Sequence, residues 1–246
     1  MSGLAELGNL WHSIQAWLFP MLEDELGELD DQHREFIAVC ETCGLHEHLA
    51  AYRWVGNGCP PKDRLALCKA FIAKAVWDFP TTSNLIDAVR HRPTLRRLCG
   101  WETLGKIPSE ATFSRAFAAF AQDELPQSIR QAMLKTHYGN EIAERIISLY
   151  DLADAAYDAD PIRQMSARLG HVAIIDHNPR RGKKKEFSPA QAIRYRQRSS
   201  AERVNSHLHD NHGGRHIRVR GAAKVAAHLS FGLLVIAAEQ LLTMLC

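Results

Sequence analysis

The stretch that decides the fold class lies at residues 146–176 and reads IISLYDLADAAYDADPIRQMSARLGHVAIID. A β-prone run from Ile146 to Leu152 ends at Asp154, and a helical pattern follows from Asp158 to Leu169. Residues 171–176 then form a second short apolar run. A strand, a helix and a strand in this order predict a βαβ unit with a parallel strand pair.

The residues before this stretch carry helical signals almost throughout. In Lys62–Trp77 the apolar residues recur at spacings of three and four, as they do on one face of a helix. Further helices are predicted from a Thr81 or Thr82 cap to Arg90, from Pro93 to Cys99, from Glu110 (after a Ser109 cap) to Gln122, and from Pro126 to about His137. Short turns rich in Pro and Gly between them predict a compact all-α domain over residues 1–142.

The residues after this stretch predict two long helices, from Pro189 to about Asp210 and from about Ala222 to Leu245. The last helix is strongly apolar, but His228 and Glu239 leave only ten uncharged residues between them. Because a bilayer span needs about 20 apolar residues, we expect a buried core helix and no membrane partner. The sequence therefore predicts an α+β fold that is mostly α, with a second domain over residues 143–246.

Charge is distributed unevenly along the chain. Residues 176–224 contain 13 Lys and Arg against four acids, so this segment carries +9 and the remainder carries −7. Such a block predicts a nucleic-acid partner, and a solvated linker is the alternative. The predicted DNA-binding residues in it include Arg180, Arg181, Lys183, Lys184, Lys185, Arg215, Arg218 and Arg220.

A second basic region lies in the helical half. Two predicted helices flank a turn region in residues 81–122, with Arg90, Arg92, Arg96, Arg97 and Arg115 near their polar faces. This pattern fits either a helix-turn-helix-like DNA reader or an ordinary helical bundle with solvated arginines.

Composition and cysteine content exclude several classes of protein. The chain is 46% hydrophobic, which is ample for a core and excludes wholesale disorder. Six Cys in 246 residues make no disulfide scaffold, and the N-terminus lacks a signal-peptide pattern, so we expect a reducing, cytoplasmic location. Cys40-Glu-Thr-Cys43 with His46 and His48 has zinc-like composition, and the alternative is a plain helical surface. We expect His207, His212 and His216 to face DNA or solvent rather than to bind a metal.

The predicted helix from Pro189 to Asp210 carries the most unusual side chains. Tyr195, Arg198, Glu202 and His209 are separated by three, four and seven residues, which places them on one face. Glu202, together with Asp154 after the first strand, could supply two carboxylates to a Mg²⁺ site. The alternative is a structural Glu–Arg pair.

Residues 194–210 resemble the signature helix of bacterial insertion-sequence DDE transposases. That pattern is Tyr, two residues, Arg, three residues, Glu, six residues, Lys; Tyr195, Arg198 and Glu202 match it, and His209 stands at the Lys position. The stretch 152–158 resembles the one that carries the second catalytic Asp, which would be Asp154. Similar surroundings occur at residues 174–182, 213–224, 70–82, 95–101 and 107–117.

The resemblance implies an RNase H-like fold in which Asp, Asp and Glu bind Mg²⁺ and cleave and join DNA at transposon ends. It also implies that Tyr195, Arg198 and the position of His209 contact the DNA backbone. The first Asp is missing, because no Asp lies between Glu124 and Tyr150 and the approach to Asp154 begins at once. We therefore expect an internally truncated RNase H-like remnant with Asp154 and Glu202 as its remaining catalytic and metal-binding residues.

Three functions remain open on these grounds. The first is a transposase-family protein of an insertion sequence that binds DNA, with Mg²⁺-dependent cleavage and strand transfer as its ancestral activity and a catalytic defect expected from the missing first Asp. The second is a non-catalytic remnant that binds DNA or dimerises as a homo-oligomer, and that interferes with an intact transposase by occupying transposon ends or forming mixed oligomers. The third alternative is an unstable product with no role.

Overall fold

Helices dominate the part of the chain that the structure, a computed structural model, describes: residues 3–52, 63–138, 150–168, 172–178, 186–196 and 198–245. The helices of the N-terminal part are α1 (Gly3–Ser13), α2 (Phe19–Leu26), α3 (Asp31–Thr42), α4 (Leu45–His48), α5 (Arg64–Val76), α6 (Thr82–His91), α7 (Pro93–Cys99), α8 (Glu110–Gln122) and α9 (Leu125–Tyr138). A π-helical stretch, Ile14–Leu18, joins α1 to α2. The later elements are β1 (Tyr150–Ala153), α10 (Asp160–Arg168), β2 (Val172–Ile175), α11 (Pro189–Arg196), α12 (Arg198–Asn211) and α13 (Ala222–Thr243).

Local capping explains where several helices begin and end. Asp63 caps α5, since its Oδ1 accepts from the Leu65 amide at 2.8 Å, and Thr81 caps α6 by accepting from the Asn84 amide at 3.0 Å. Helix α7 starts at Pro93 and ends before Gly100, whose φ of 107° is a conformation that favours glycine. These boundaries confirm the predictions. Ser109 precedes α8 as predicted, but its hydroxyl lies 3.2 Å from the Thr112 hydroxyl and makes no side-chain cap to the helix backbone.

The chain divides into two compact units. The helical unit comprises residues 1–139 and 207–246, and the second unit comprises residues 140–206. The sequence-based boundary at 142/143 lies close to the first division, whereas the C-terminal residues from His207 onward group with the N-terminal helices.

A cluster of aromatic rings forms the centre of the helical unit. Phe71 of α5 is 2% exposed, and its ring centroid lies 5.0–6.2 Å from those of Phe113, Phe117, Phe120 and Phe231. Three of these rings come from α8, in which they are buried. Ring pairs at these separations stabilise a core beyond the apolar area that they bury.

Helix α13 is the central helix of this core. By length and composition its 22 residues could cross a membrane, yet it packs against α5, α8 and α9 and buries Phe231, Leu234 and Val235 almost completely. The core helix predicted from the sequence is confirmed. Gly232 allows its close approach to the end of α12, because a Cβ there would lie 2.6 Å from the His212 carbonyl oxygen.

The second unit contains the predicted βαβ arrangement. β1 and β2 are parallel, with Tyr150 opposite Val172 and Ala153 opposite Ile175, and α10 lies between them in sequence. Helix α10 begins two residues later than predicted, since Asp158 binds other groups before the helix starts. The predicted helix from Pro189 to Asp210 is described as α11 and α12, and Gln197 between them lies outside the described residues. A mostly helical fold is thus confirmed.

Candidate metal and nucleic-acid site

The signature residues Tyr195, Arg198 and Glu202 meet in one cluster of the second unit. Arg198 donates from Nη1 to the Tyr195 hydroxyl at 2.7 Å, and its guanidinium carbon lies 5.5 Å from the centre of that ring. The same guanidinium donates from Nε to Glu202 Oε1 at 3.1 Å and makes a second contact to that oxygen through Nη2. Phe187 packs against Tyr195, and the two ring centroids lie 4.7 Å apart.

These contacts determine what the cluster can do chemically. The hydrogen bond to Glu202 is the main reason that the pKa of Arg198 lies above its ordinary value, so this residue stays charged. The side chain of Glu202 is 56% exposed, and its Oε1 accepts hydrogen bonds from Arg198. This contact is the structural Glu–Arg pair that the sequence offered as the alternative to a Mg²⁺ ligand. The other oxygen of Glu202 can still accept from solvent or bind an ion.

Asp154 follows β1 directly, where the sequence places the second carboxylate. Its Oδ1 accepts from the Ala156 amide at 2.9 Å and caps the 3₁₀ turn Ala155–Tyr157. The residue is half-buried. As with Glu202, one carboxylate oxygen has a protein partner and the other can serve as a ligand.

The sequence reasoning missed Asp158, a carboxylate of the second unit with three hydrogen bonds. Arg163 donates to its Oδ1 from Nε at 3.1 Å and from Nη2 at 2.8 Å, and the Asn178 amide donates to Oδ2 at 2.9 Å. The Asn178 amide, followed by Arg163, holds the pKa of Asp158 below its usual value. The pair joins the start of α10 to the end of β2, and its only sequence signal is an acid just before a helix with an arginine five residues on.

A polar cavity of about 540 Å³ adjoins this pair. Its lining includes Asp158, Arg163, His177, Glu186, Phe187 and Gln191. Asp158 and Arg163 in the cavity wall already neutralise each other. The lining therefore favours neither an anionic nor a cationic ligand.

The described arginines of the basic segment are mostly exposed. In the second unit Arg194, Arg196 and Arg203 are exposed, whereas Arg198 is half-buried by its partners. In the helical unit Arg215, Arg218 and Arg220 are exposed, and Arg215 donates to Asp210 at 2.9 Å. Val219 packs against the core between the last two, so this extended segment presents both guanidinium groups outward. Arg180, Arg181, Lys183, Lys184 and Lys185 lie outside the described residues.

His209, at the position of the family's Lys, is exposed near the end of α12. Its Nδ1 lies 3.0 Å from Asp210 Oδ1, and this contact, together with Arg215, holds the pKa of Asp210 below its usual value. The imidazole is accessible to solvent in this position.

The arginines of residues 81–122 have partners within the helical unit. Arg97 binds Glu25 and Glu102, and Arg96 donates to the Arg90 carbonyl at 3.3 Å. Arg90 and Arg115 remain exposed. The ion pairs of Arg97 with Glu25 and Glu102 favour a helical bundle over a DNA contact at this position. The exposed Arg90 and Arg115 fit either a DNA reader or a bundle with solvated arginines.

The zinc-like cysteines are core residues, so the expectation of a plain helical surface was wrong. Cys40 and Cys43 are both buried, and the Cys43 sulfur lies 4.0 Å from that of Met133. Burial raises the pKa of both thiols well above the ordinary value, which disfavours the thiolate that zinc needs. His46, by contrast, is exposed.

His212 also differs from expectation, because it is 4% exposed rather than solvated. Its Nδ1 lies 3.2 Å from the Ala75 carbonyl oxygen, and His228 Nε2 lies 2.9 Å from the Gly213 carbonyl oxygen. Burial is the main cause that lowers the pKa of both imidazoles. The apolar helices around them exert this effect, which no local pattern reveals.

This burial predicts a pH effect on stability. A lowered folded pKa means that the unfolded state binds the proton more readily, so His228 should remove stability as pH falls from 7 to 5. We expect wild type to lose more of its free energy of unfolding than His228→Gln over this range, by up to about 1.4 kcal/mol per pH unit. Urea titrations at each pH measure the difference. Glu239, whose pKa is raised by burial, acts in the opposite direction but equally in both proteins. Identical pH profiles would contradict the assignment.

Comparison with known proteins gives one match. Residues 23–119 match the family described as Transposase domain (DUF772), which covers less than half of the chain and lies in the helical unit. No curated protein and no solved structure matches. This match supports a transposase family for the protein.

Proposed function

We propose that this protein binds DNA as an insertion-sequence transposase that has lost strand cleavage. The observation that carries the proposal is the set of exposed arginines on α11, α12 and the segment before α13. Exposed guanidinium groups can reach phosphates, and neutralising phosphates supplies most of the affinity of such proteins. The match of residues 23–119 to a transposase domain supports DNA as the partner of this surface.

The proposed partner is the DNA of transposon ends, bound in the nucleoid of a bacterial cytoplasm. Tyr195 and Arg198 form a preorganised hydrogen-bonded pair in which the aromatic ring limits the motion of the guanidinium. Such a pair suits contact with a phosphate beside the ancestral cleavage site. His209, Arg215, Arg218 and Arg220 are the proposed backbone contacts of the helical unit.

The proposed loss of cleavage follows from the carboxylates. Asp154 and Glu202 fit Mg²⁺ by chemistry, because each has one oxygen without a hydrogen bond from the residues described above. When bound, the ion would polarise a phosphodiester and lower the pKa of a water molecule. A site for two metal ions needs a further carboxylate to bridge them, and the family pattern supplies it as the first Asp. This sequence has no Asp between Glu124 and Tyr150, where that residue is expected.

A second candidate function is interference with an intact transposase through mixed oligomers. The observation that favours it is an exposed apolar surface on the N-terminal helices, where Trp17 is 75% exposed and Met21 is 55% exposed. Large apolar side chains in adjacent turns are typical of protein–protein contacts.

The salt dependence of DNA binding tests the main proposal. Replacing Arg218 and Arg220 with Ala should reduce the slope of log affinity against log salt by about 1.8, since each lost phosphate contact contributes about 0.9. The matched control is Lys106→Ala with Lys135→Ala, which removes the same charge from exposed sites elsewhere in the helical unit. An unchanged slope would remove the two arginines from the interface. Absence of salt-dependent binding by folded wild type would contradict DNA binding itself.

A further inference from the structure

Two imidazoles and a carboxylate meet in the helical unit. His207 and His212 come from the end of α12 and the turn after it, and Glu239 comes from α13. One ligand atom from each lies within 4.8 Å of the other two. His212 Nε2 lies 3.5 Å from Glu239 Oε1, and His207 Nδ1 lies 4.0 Å from Glu239 Oε2.

The protonation of His212 can be assigned from its neighbours. Its Nδ1 faces the Ala75 carbonyl at 3.2 Å, which can only accept a hydrogen bond, so Nδ1 carries the proton. Nε2 then presents a lone pair toward Glu239. Among the residues that the structure describes, this buried atom has no hydrogen-bond partner, and an unpaired polar atom in a core costs free energy. A backbone carbonyl that holds the far nitrogen of an imidazole is the usual support of a metal-binding histidine.

The distances fit a transition-metal ion. Ligand atoms about 2.0–2.1 Å from zinc in a tetrahedral site are roughly 3.4 Å apart. The His212–Glu239 separation already has this value. His207 closes the remaining gap by a side-chain rotation, for which its 41% exposed side chain has room.

The surroundings of Glu239 favour a cation as well. This carboxyl group is 23% exposed and shares a hydrogen bond with the half-buried Glu35 of α3. Two carboxyl groups held together in this way share a proton or bind a positive ion. Glu35 therefore adds a second carboxylate beside the three ligands.

We propose that His207, His212 and Glu239 bind one divalent transition-metal ion, with Zn²⁺ the best fit, and that this ion fastens the end of α12 to α13. Two imidazoles and a carboxylate are a ligand set that zinc accepts, with a fourth position left for water. These three ligands belong to the helical unit, whereas Asp154 and Glu202 belong to the second unit.

Zinc titration of tag-free, chelator-treated full-length protein tests the site. We expect one Zn²⁺ per chain in competition with a chromophoric chelator, and a melting midpoint raised by about 5–10 °C when free Zn²⁺ is 100 times the dissociation constant. Co²⁺ should give the visible absorption of a tetrahedral site. His207→Gln and Glu239→Gln should each weaken binding by at least about 100-fold.

His91→Gln is the matched control, because it removes an exposed imidazole from α6 of the helical unit, which contributes no ligand to the cluster. It should bind Zn²⁺ as wild type does. Binding that is absent in wild type, or equal in wild type and His207→Gln, would overturn the proposal. If Glu239→Gln fails to fold, the half-exposed His207→Gln decides alone.

Discussion

Replacement of Phe71 by Ala should lower the free energy of unfolding of the helical unit by about 3–5 kcal/mol. Phe71 is 2% exposed and contacts four other aromatic rings from α8 and α13. Removing the ring leaves a cavity between α5, α8 and α13. Filling this cavity would require all three helices to shift. Since whole domains are stable by only about 5–15 kcal/mol, this is a large fraction of the total.

Chemical denaturation followed by tryptophan fluorescence measures this loss. Phe79→Ala is the matched control, because Phe79 is half-buried and stacks on Trp77 alone among aromatic rings described here. We expect it to cost roughly 1 kcal/mol. Equal losses in the two variants would show that the ring cluster is not the centre of the core.

Purified protein should not nick a transposon-end duplex in Mg²⁺ or Mn²⁺. Asp154 and Glu202 each hold a protein hydrogen bond through one oxygen, and Glu202 is occupied by the Arg198 guanidinium. Without a third carboxylate, Asp154 and Glu202 cannot hold two metal ions in place to stabilise both the attacking and the leaving oxygen. The expected loss relative to an intact site is about 100-fold or more.

Glu202→Ala is the control for this experiment. It should leave the nicking assay unchanged at background, and should slightly strengthen DNA binding because it removes a negative charge beside Arg198. Metal-dependent nicking by wild type that disappears in Glu202→Ala would prove that another acid replaces the missing Asp. The salt-dependent binding assay with Arg218→Ala and Arg220→Ala is independent of that result.

The local structure of the chain could be predicted from the sequence. Apolar spacing and caps located α5 to α9 within a few residues, since Thr81, Pro93 and Gly100 act on backbone groups in their own turns. The order of strand, helix and strand predicted the parallel pair of β1 and β2. The signature spacing also predicted that Tyr195, Arg198 and Glu202 would meet, because residues three and four apart share a helix face.

Tertiary structure decided which of these side chains are buried and what they bind. Cys40, Cys43 and His212 have ordinary sequence neighbours, and only the packing of distant helices removes them from water. The cluster of His207, His212 and Glu239 joins residues 32 positions apart, which no local period connects. The sequence by itself determined the helices, the strand pair and the basic segment, because these depend on neighbouring residues. The grouping of residues 207–246 with the N-terminal helices arose only in the folded chain, since burial of α13 depends on contacts across its whole length.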